Sequence, residues 1–317
     1  MIDIKLLEKL CLCNGISGDE GNVRNLIINE IKDCADDIKT DNLGNLIVFK
    51  KGKKSAKSKL MVSAHMDEVG LMVTDITSDG YLKFDEVGGI DRRVLPGKRV
   101  CVGRNGLNGV IGVKPIHLTN GDEKTAVPKM NDMYIDIGAE SREDALKYVN
   151  YGDGINFEGD FKINGKTVVT KALDDRFGCY VLINLIKSEP EYDMYFTFVV
   201  QEEVGLRGAR PAAFTVNPDF ALVIESTTAA DVAEVDASHQ VCNLSKGATV
   251  TVMDRATVYD KEMISAAFEL AEKNNIAVQY KRAVAGGNDS GAIHQSRGGV
   301  RTLAVSLPSR YIHAPST

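Results

Sequence analysis

Two adjacent aspartates, Asp174 and Asp175, stand at the start of an apolar segment that covers residues 177–186. This segment is apolar on almost every side of a helical projection, which predicts a buried helix. Carboxylates at its N-terminus would lie at the positive end of the helix dipole, yet an unpaired charge is costly to bury. Either Arg176 or a metal ion could neutralise the two acids, and the rest of the chain favours the metal.

Further acids and histidines follow other apolar, strand-like segments. They are His65 and Asp67 after residues 60–64, Glu202 and Glu203 after 194–200, Glu225 with its neighbour Asp231 after 220–224, and His313 after 300–306. In open α/β sheets, ligands bind beyond the carboxyl ends of the strands, so these side chains can converge. Asp67 is placed to hold the imidazole of His65 by its second nitrogen, as metal-bound histidines usually require.

Each of these segments alone has an ordinary structural explanation. A histidine near an aspartate is often structural, adjacent glutamates are often exposed loop acids, and the paired aspartates could cap a helix and bind Arg176. Adjacent glutamates repel each other, however, and the conflict is resolved if one binds a metal and the other accepts a proton. Together, the two histidines and three carboxylates form a ligand set for two divalent cations about 3.5–4 Å apart. Zinc suits such mixed ligands, and cobalt or manganese would also fit.

The elements that must position these residues alternate between helix and strand in the first and last parts of the chain. The spacing of apolar residues predicts helices at residues 3–13, from Ser17 or Gly18 to about 34, from 174 onwards, and at 259–273 and 290–296, with a glycine-rich turn and a short helix within 205–213. It predicts strands at 38–40, 46–50, 60–64, 194–200, 220–224, 248–253, 276–281 and 300–306. Between residues 70 and 163, short β-like runs separated by glycine turns dominate, with one helix-like piece at 141–149. We therefore expect a three-layer α/β/α domain at residues 1–69 and 164–317, with a small β-rich, barrel-like domain inserted at 70–163.

The composition limits the range of functions. The chain has 317 residues, which allows two domains, and a formal net charge of −6, which argues against nucleic-acid binding. It has no run of about 18 apolar residues, so we expect no membrane span. The acidic N-terminus does not resemble a signal peptide, and the six cysteines are scattered without a CxxC pair. These features are typical of a reduced, intracellular protein, and we expect a cytoplasmic location.

Five motifs resemble in content and order those of the M42 family of metallo-aminopeptidases: HMDEVG, KALDDRFG, QEEVGLRGA, GGNDSGAIH and SRYIHAP. That family includes the tetrahedral (TET) aminopeptidases, the glutamyl aminopeptidases and proteins labelled cellulase M, and the resemblance covers essentially the whole chain. It implies the following roles: His65 and Glu225 as ligands of one metal, Glu203 and His313 as ligands of the other, Asp174 as the bridge, Glu202 as general base and acid, and Asp67 as the partner of His65. It also implies a cis peptide bond between Asp174 and Asp175.

The resemblance implies hydrolysis of peptides at a free N-terminus by a metal-activated water. It also implies that the β-rich insertion serves dimerisation, and that dimers assemble further, up to a hollow dodecamer. At position 225 this chain has glutamate where many relatives have aspartate. The loop at residues 286–289 either shapes the substrate pocket or caps the helix that begins at Ser290.

Three alternative functions remain open at this point. A β-1,4-glucanase is one, because some relatives carry that label, although glycosidases need two isolated carboxylates and no metal. A deacylase or carboxypeptidase of the related dinuclear clan is the second. A non-catalytic scaffold is the third, and the presence of Glu202 argues against it.

Overall fold

The computed structural model describes residues 3–317, apart from the side chain of Glu123. Its strands are β1 (Asp37–Thr40), β2 (Leu46–Lys50), β3 (Leu60–His65), β4 (Gly70–Ile76), β5 (Leu82–Val87), β6 (Arg99–Val102), β7 (Leu107–Val113), β8 (Met133–Asp136), β9 (Gly154–Phe157), β10 (Lys162–Asn164), β11 (Thr167–Val169), β12 (Met194–Val199), β13 (Phe220–Thr228), β14 (Ala248–Val250), β15 (Val278–Tyr280) and β16 (Arg301–Ser309). Its α-helices are α1 (Ile4–Leu12), α2 (Gly21–Ile31), α3 (Arg142–Ala145), α4 (Leu173–Lys187), α5 (Ala209–Val216), α6 (Lys261–Lys273) and α7 (Ser290–Ile293).

An eight-stranded mixed sheet forms the middle layer, in the order β1-β2-β12-β3-β13-β16-β14-β15. The four central strands, β12, β3, β13 and β16, run parallel to one another. Val199, at the end of β12, lies opposite His65 at the end of β3. The carboxyl ends of the parallel strands therefore meet at one edge, where ligands bind in sheets of this kind.

Helices cover both faces of this sheet. On one face α1, α2 and α4 bury side chains such as Leu10 and Ile183 against Val62 of β3. On the other face α5, α6 and α7 pack against residues such as Met61, the neighbour of Val62 in the same strand. Successive residues of a strand point to opposite faces, so β3 contributes to both cores. The expected three-layer α/β/α architecture is confirmed.

Strands β4 to β9 form a separate closed barrel, in the order β4-β5-β8-β7-β6-β9. Its interior is an apolar cluster of its own, with residues such as Leu71, Val100 and Ile135 fully buried. The sequence prediction of a small barrel-like unit is thereby confirmed, although it missed strand β9. The hairpin of β10 and β11 then leads from the barrel back to α4.

Several element boundaries differ from the predicted ones. Helix α2 begins at Gly21 and not at Ser17 or Gly18, and the side chain of its N-cap, Glu20, makes no capping hydrogen bond. The glycine-rich turn predicted before the short helix is present, since Gly205 has a φ of +116°, and α5 runs from Ala209 three residues beyond the predicted end. Helix α3 has four residues where nine were expected to be helix-like. None of the helices in the described part of the chain has the length and apolar character needed to cross a bilayer.

Candidate metal centre and active site

The first group of candidate ligands lies where β3, α4 and β13 meet. His65 is the last residue of β3, and its Nε2 lies 3.4 Å from Oδ1 of Asp174 and 3.8 Å from Oε1 of Glu225. Asp174 sits at the start of α4, where it and Asp175 have non-helical backbone angles and are joined by a cis peptide bond, as expected. These three side chains are close enough to share one cation.

A second group lies beside the first. Nε2 of His313 is 3.5 Å from Oδ2 of Asp174 and 3.3 Å from Oε2 of Glu203. Glu203 follows β12, and His313 follows β16. Asp174 thus presents one oxygen to each group, which is the position that a ligand shared between two cations would occupy.

The electrostatics of this cluster fit divalent cations. Oδ1 of Asp174 and Oε1 of Glu225 are buried and accept no hydrogen bond from a described residue. Burial, reinforced by neighbouring carboxylates, raises the pKa of Glu225 well above its usual range and that of Glu203 to about 7. Buried acids that repel one another in this way need a positive charge among them. The mixture of imidazole and carboxylate donors is the one that zinc and similar metals accept.

The two histidines, when protonated, supply part of the positive charge that these acids need. The hydrogen bond to Asp174 raises the pKa of His313 to about 8, against the effect of burial. Burial disfavours the charged form of His65, but the close carboxylates of Asp174 and Asp67 outweigh it and raise its pKa. Burial likewise opposes ionisation of Asp174, yet both imidazoles together lower its pKa to about 2. Imidazoles and cations therefore compete for the same carboxylate oxygens.

Asp67 connects His65 to the loop that carries the adjacent glutamates. The nearest neighbour of His65 Nδ1 is the backbone oxygen of Asp67 at 3.0 Å, and the Asp67 carboxylate is 3.5 Å away. That carboxylate accepts hydrogen bonds from the backbone N–H groups of Glu202 at 3.0 Å and Glu203 at 3.1 Å. It also accepts one from the hydroxyl of Ser17 at 2.6 Å. The Asp67 carboxylate therefore binds the loop that carries Glu202 and Glu203, the glutamate loop, more closely than it binds the imidazole of His65.

Glu202 faces the same centre without belonging to either of the two groups above. Its carboxylate lies with His65 and Glu203 in a set whose ligand atoms are all within 4.8 Å of one another. Burial raises its pKa well above the usual range, and the nearby carboxylates of Asp289 and Glu203 add to the effect while His65 opposes it. A buried carboxyl group whose pKa is raised in this way has the character of a general acid and base.

Arg176 does not neutralise the paired aspartates. Its guanidinium donates to the backbone oxygens of Leu10, Cys13 and Met66 at 2.6–2.7 Å. It also contacts Glu68 at 3.3 Å. Of the two alternatives left open by the sequence, this arrangement favours the metal.

Glu68 forms a buried ionic network that sequence reasoning missed. Lys171 Nζ lies 2.9 Å from Glu68 Oε1 and also donates to Asn14 Oδ1 at 2.9 Å. Glu68 lies next to Asp67 inside the first motif, but only the fold reveals its two cationic partners. Glu68 and Lys171 line a cleft beside the second ligand group, together with Phe157 of the barrel.

Two further acids are placed clearly by the fold. Asp231, the other acid near the end of this strand that could have been a ligand, pairs with Arg310 at 2.8 Å. Glu225 is therefore the acid that faces His65. Asp289 is fully buried, and neither of its carboxylate oxygens has a hydrogen-bond partner among the described residues. It makes no capping hydrogen bond to α7, but Asn288 Oδ1 accepts the backbone N–H of Ser290 at 2.9 Å, so the loop caps the helix through Asn288.

Comparison with known proteins agrees with this geometry. The family model described as M42 glutamyl aminopeptidase matches residues 44–317. Lysyl aminopeptidase of Pyrococcus furiosus is 34% identical over 99% of this chain and 91% of its own length. The structure of a TET aminopeptidase from Thaumarchaeota archaeon SCGC AB-539-E09 superposes with a TM-score of 0.93 at 33% identity, covering 99% of this chain and 90% of that one. The TET1 peptidase of Pyrococcus horikoshii gives 0.87 at 40% identity, covering 99% and 93%.

The chain therefore belongs to the M42 family of metallopeptidases, whose members depend on divalent metals. It is an aminopeptidase and hence a hydrolase. Membership of a peptidase family decides against the β-1,4-glucanase alternative. It also favours an aminopeptidase over the deacylase or carboxypeptidase alternative.

Proposed function

We propose that this chain removes N-terminal residues from peptides at a centre that holds two divalent cations. The observation that carries the proposal is the position of Asp174, which turns one oxygen toward His65 and the other toward His313. His65 and Glu225 would hold one cation, His313 and Glu203 the other, and Asp174 both. Zinc is the metal that we propose, with cobalt or manganese as substitutes.

The cations, when bound, supply Lewis acidity that polarises the scissile carbonyl and makes water a stronger acid. Glu202 acts as the general base that removes a proton from the attacking water. The same carboxyl group then donates that proton to the nitrogen of the departing amine. Asp67 orients the Glu202 backbone through the N–H that it accepts at 3.0 Å. The acids around the centre also favour a positively charged α-amine, which would restrict cleavage to the first residue of a peptide.

The test uses a panel of amino-acid anilides and their N-acetylated forms, together with metal analysis of the purified protein. We expect hydrolysis of the free amines, none of the acetylated forms, and loss of activity after complete metal removal. Activity that survives complete metal removal would contradict this mechanism. Cleavage of the acetylated forms would favour a deacylase instead.

We also propose a homo-oligomer, from a dimer up to a dodecamer, in which the barrel domain at residues 70–163 mediates dimerisation and residues 1–69 and 164–317 are catalytic. The support is a relative, since Pyrococcus horikoshii TET1 can assemble into a tetrahedron or a large octahedral shell. Light scattering of the purified protein tests it, and a monomer at micromolar concentration would refute it. We propose a cytoplasmic location, which the six free thiols support, and neither nucleic acid nor membrane as a partner.

A further inference from the structure

The loop that carries Glu202 is held at three consecutive backbone N–H groups by two buried carboxylates. Asp67 accepts from the N–H groups of Glu202 and Glu203, as described above. The preceding N–H, that of Gln201, donates to Oε1 of Glu20 at 3.1 Å. Gln201 has a φ of +56°, a left-handed conformation that is uncommon for a residue other than glycine. Such a backbone persists only where its surroundings hold it in place.

Glu20 comes from a part of the chain that is distant in sequence from the loop that carries Glu202. It precedes α2 and is separated from Gln201 by 181 positions in the sequence. Its side chain does not cap the helix that it precedes. The same Oε1 atom accepts the N–H of Gly18 at 2.7 Å, and Glu20 is only 4% exposed. Taking a carboxylate out of water is costly unless its hydrogen bonds compensate, so these two bonds account for its burial.

Ser17 reinforces the same arrangement. Its hydroxyl donates to Oδ2 of Asp67, the oxygen that also accepts the N–H of Glu203. The segment from Ser17 to Glu20 therefore touches the glutamate loop twice, once directly and once through Asp67. This segment lies before residue 44, where the match to the family model begins.

We infer that Glu20 is a positioning residue for the general base, acting through the backbone N–H of Gln201. This inference rests on the proposed function of Glu202. The hydrogen bond to Glu20 fixes the left-handed turn at Gln201, and the turn sets the direction in which the Glu202 carboxylate points. Without that bond the loop relaxes, and the base is displaced from the water whose proton it removes. A displacement of about 1 Å at a reacting group can reduce the rate by about 100-fold.

Two conservative variants separate the hydrogen bond from the charge. Glu20→Gln keeps an oxygen at the same reach, and we expect its kcat to stay within about threefold of the unmodified enzyme. Glu20→Asp keeps the charge but withdraws the oxygen by one methylene, and we expect kcat to fall about 10- to 100-fold. KM should change less than about twofold in both variants, because binding of the substrate does not depend on this bond.

The matched control is Asp260→Ala. Asp260 is also an acid that precedes a helix, and its Oδ1 accepts the N–H of Met263 at 3.0 Å in α6, on the outer layer of the fold. We expect a lower Tm and an unchanged kcat. If Glu20→Asp lowers Tm like the control but leaves kcat unchanged, Glu20 is structural only and the inference is wrong. If Glu20→Gln loses activity and Glu20→Asp keeps it, the charge and not the hydrogen bond matters, which also overturns the inference.

Amide hydrogen exchange in the peptide that covers residues 198–206 gives a readout independent of activity. We expect exchange at Gln201 to be about tenfold faster in Glu20→Asp and nearly unchanged in Glu20→Gln. Equal exchange in the two variants contradicts the inference. If the unmodified enzyme does not hydrolyse peptides, the proposed function fails, and the exchange measurement still decides whether Glu20 holds the loop.

Discussion

Replacement of Glu202 by glutamine isolates proton transfer from metal binding. The amide has nearly the shape of the carboxylate but cannot accept a proton. Glu202 lies close to His65 and Glu203, yet it belongs to neither of the two ligand groups that share Asp174. We therefore expect Glu202→Gln to retain both metals while its kcat falls.

The expected loss of kcat follows from the role of Glu202 as a general base. A positioned general base contributes about 10²- to 10⁴-fold, so kcat should fall by that factor, or about 2.7–5.5 kcal/mol in activation free energy. The metal-free protein should not be destabilised, because burial disfavours the charged form of Glu202 and repulsion by Asp289, Glu203 and Asp67 adds to this effect, against the attraction of His65. Removal of a like charge from a buried acidic cluster relieves repulsion, so the Tm of the metal-free variant should equal or exceed that of the unmodified protein.

The assay is steady-state hydrolysis of an amino-acid anilide, combined with elemental analysis and thermal unfolding with and without metal. The matched variant is Glu203→Gln, which should lose metal as well as activity because Glu203 contacts His313. Full turnover by Glu202→Gln would refute its role as the base. Loss of metal from Glu202→Gln would show that this side chain is a ligand, and the assigned roles of the two glutamates would then have to be exchanged.

Three further predictions concern stability. Metal removal should lower the Tm, and metal at 100 times its Kd should raise the free energy of unfolding by about 2.7 kcal/mol, as measured by thermal unfolding. An unchanged Tm would mean that the acids are not a cation site. Glu68→Gln should destabilise by about 3–5 kcal/mol, because it leaves Lys171 and Arg176 buried without a counter-charge. The control is the more exposed ion pair between Glu30 and Lys187, because Glu30→Gln should lower the free energy of unfolding by less than about 1 kcal/mol in urea. Equal losses in Glu68→Gln and Glu30→Gln would contradict the reasoning. Gly247→Ala should destabilise by at least about 1–3 kcal/mol in the same assay, because the residue has a φ of +93° and an added Cβ would lie 2.0 Å from a backbone oxygen; a neutral result would refute this.

Sequence reasoning could predict that these side chains converge because their positions depend on local signals. His65 follows the mainly apolar run at residues 60–64, and Glu203 follows another at 194–200. Parallel strands put their carboxyl ends at one edge, so the convergence of these residues follows from strand patterns alone. The apolar character of α4 likewise indicated a buried helix, and Ile183 within it is fully buried.

The remaining details depend on contacts that no local pattern encodes. Ser17 was expected to begin a helix and Glu20 had no predicted role, but the fold directs both to hydrogen bonds with distant partners. Arg176 stands next to the paired aspartates, yet its guanidinium reaches the end of α1. Strand β9 was missed because it has only four residues and is recognisable mainly by its pairing with β4 and β6.

Anomalous X-ray scattering from crystals grown with zinc or cobalt tests the central claim most directly. Two peaks are expected on opposite sides of the Asp174 carboxylate, one beside His65 and Glu225 and the other beside His313 and Glu203. A single peak, or two peaks of which neither touches Asp174, would contradict a dinuclear centre bridged by this residue.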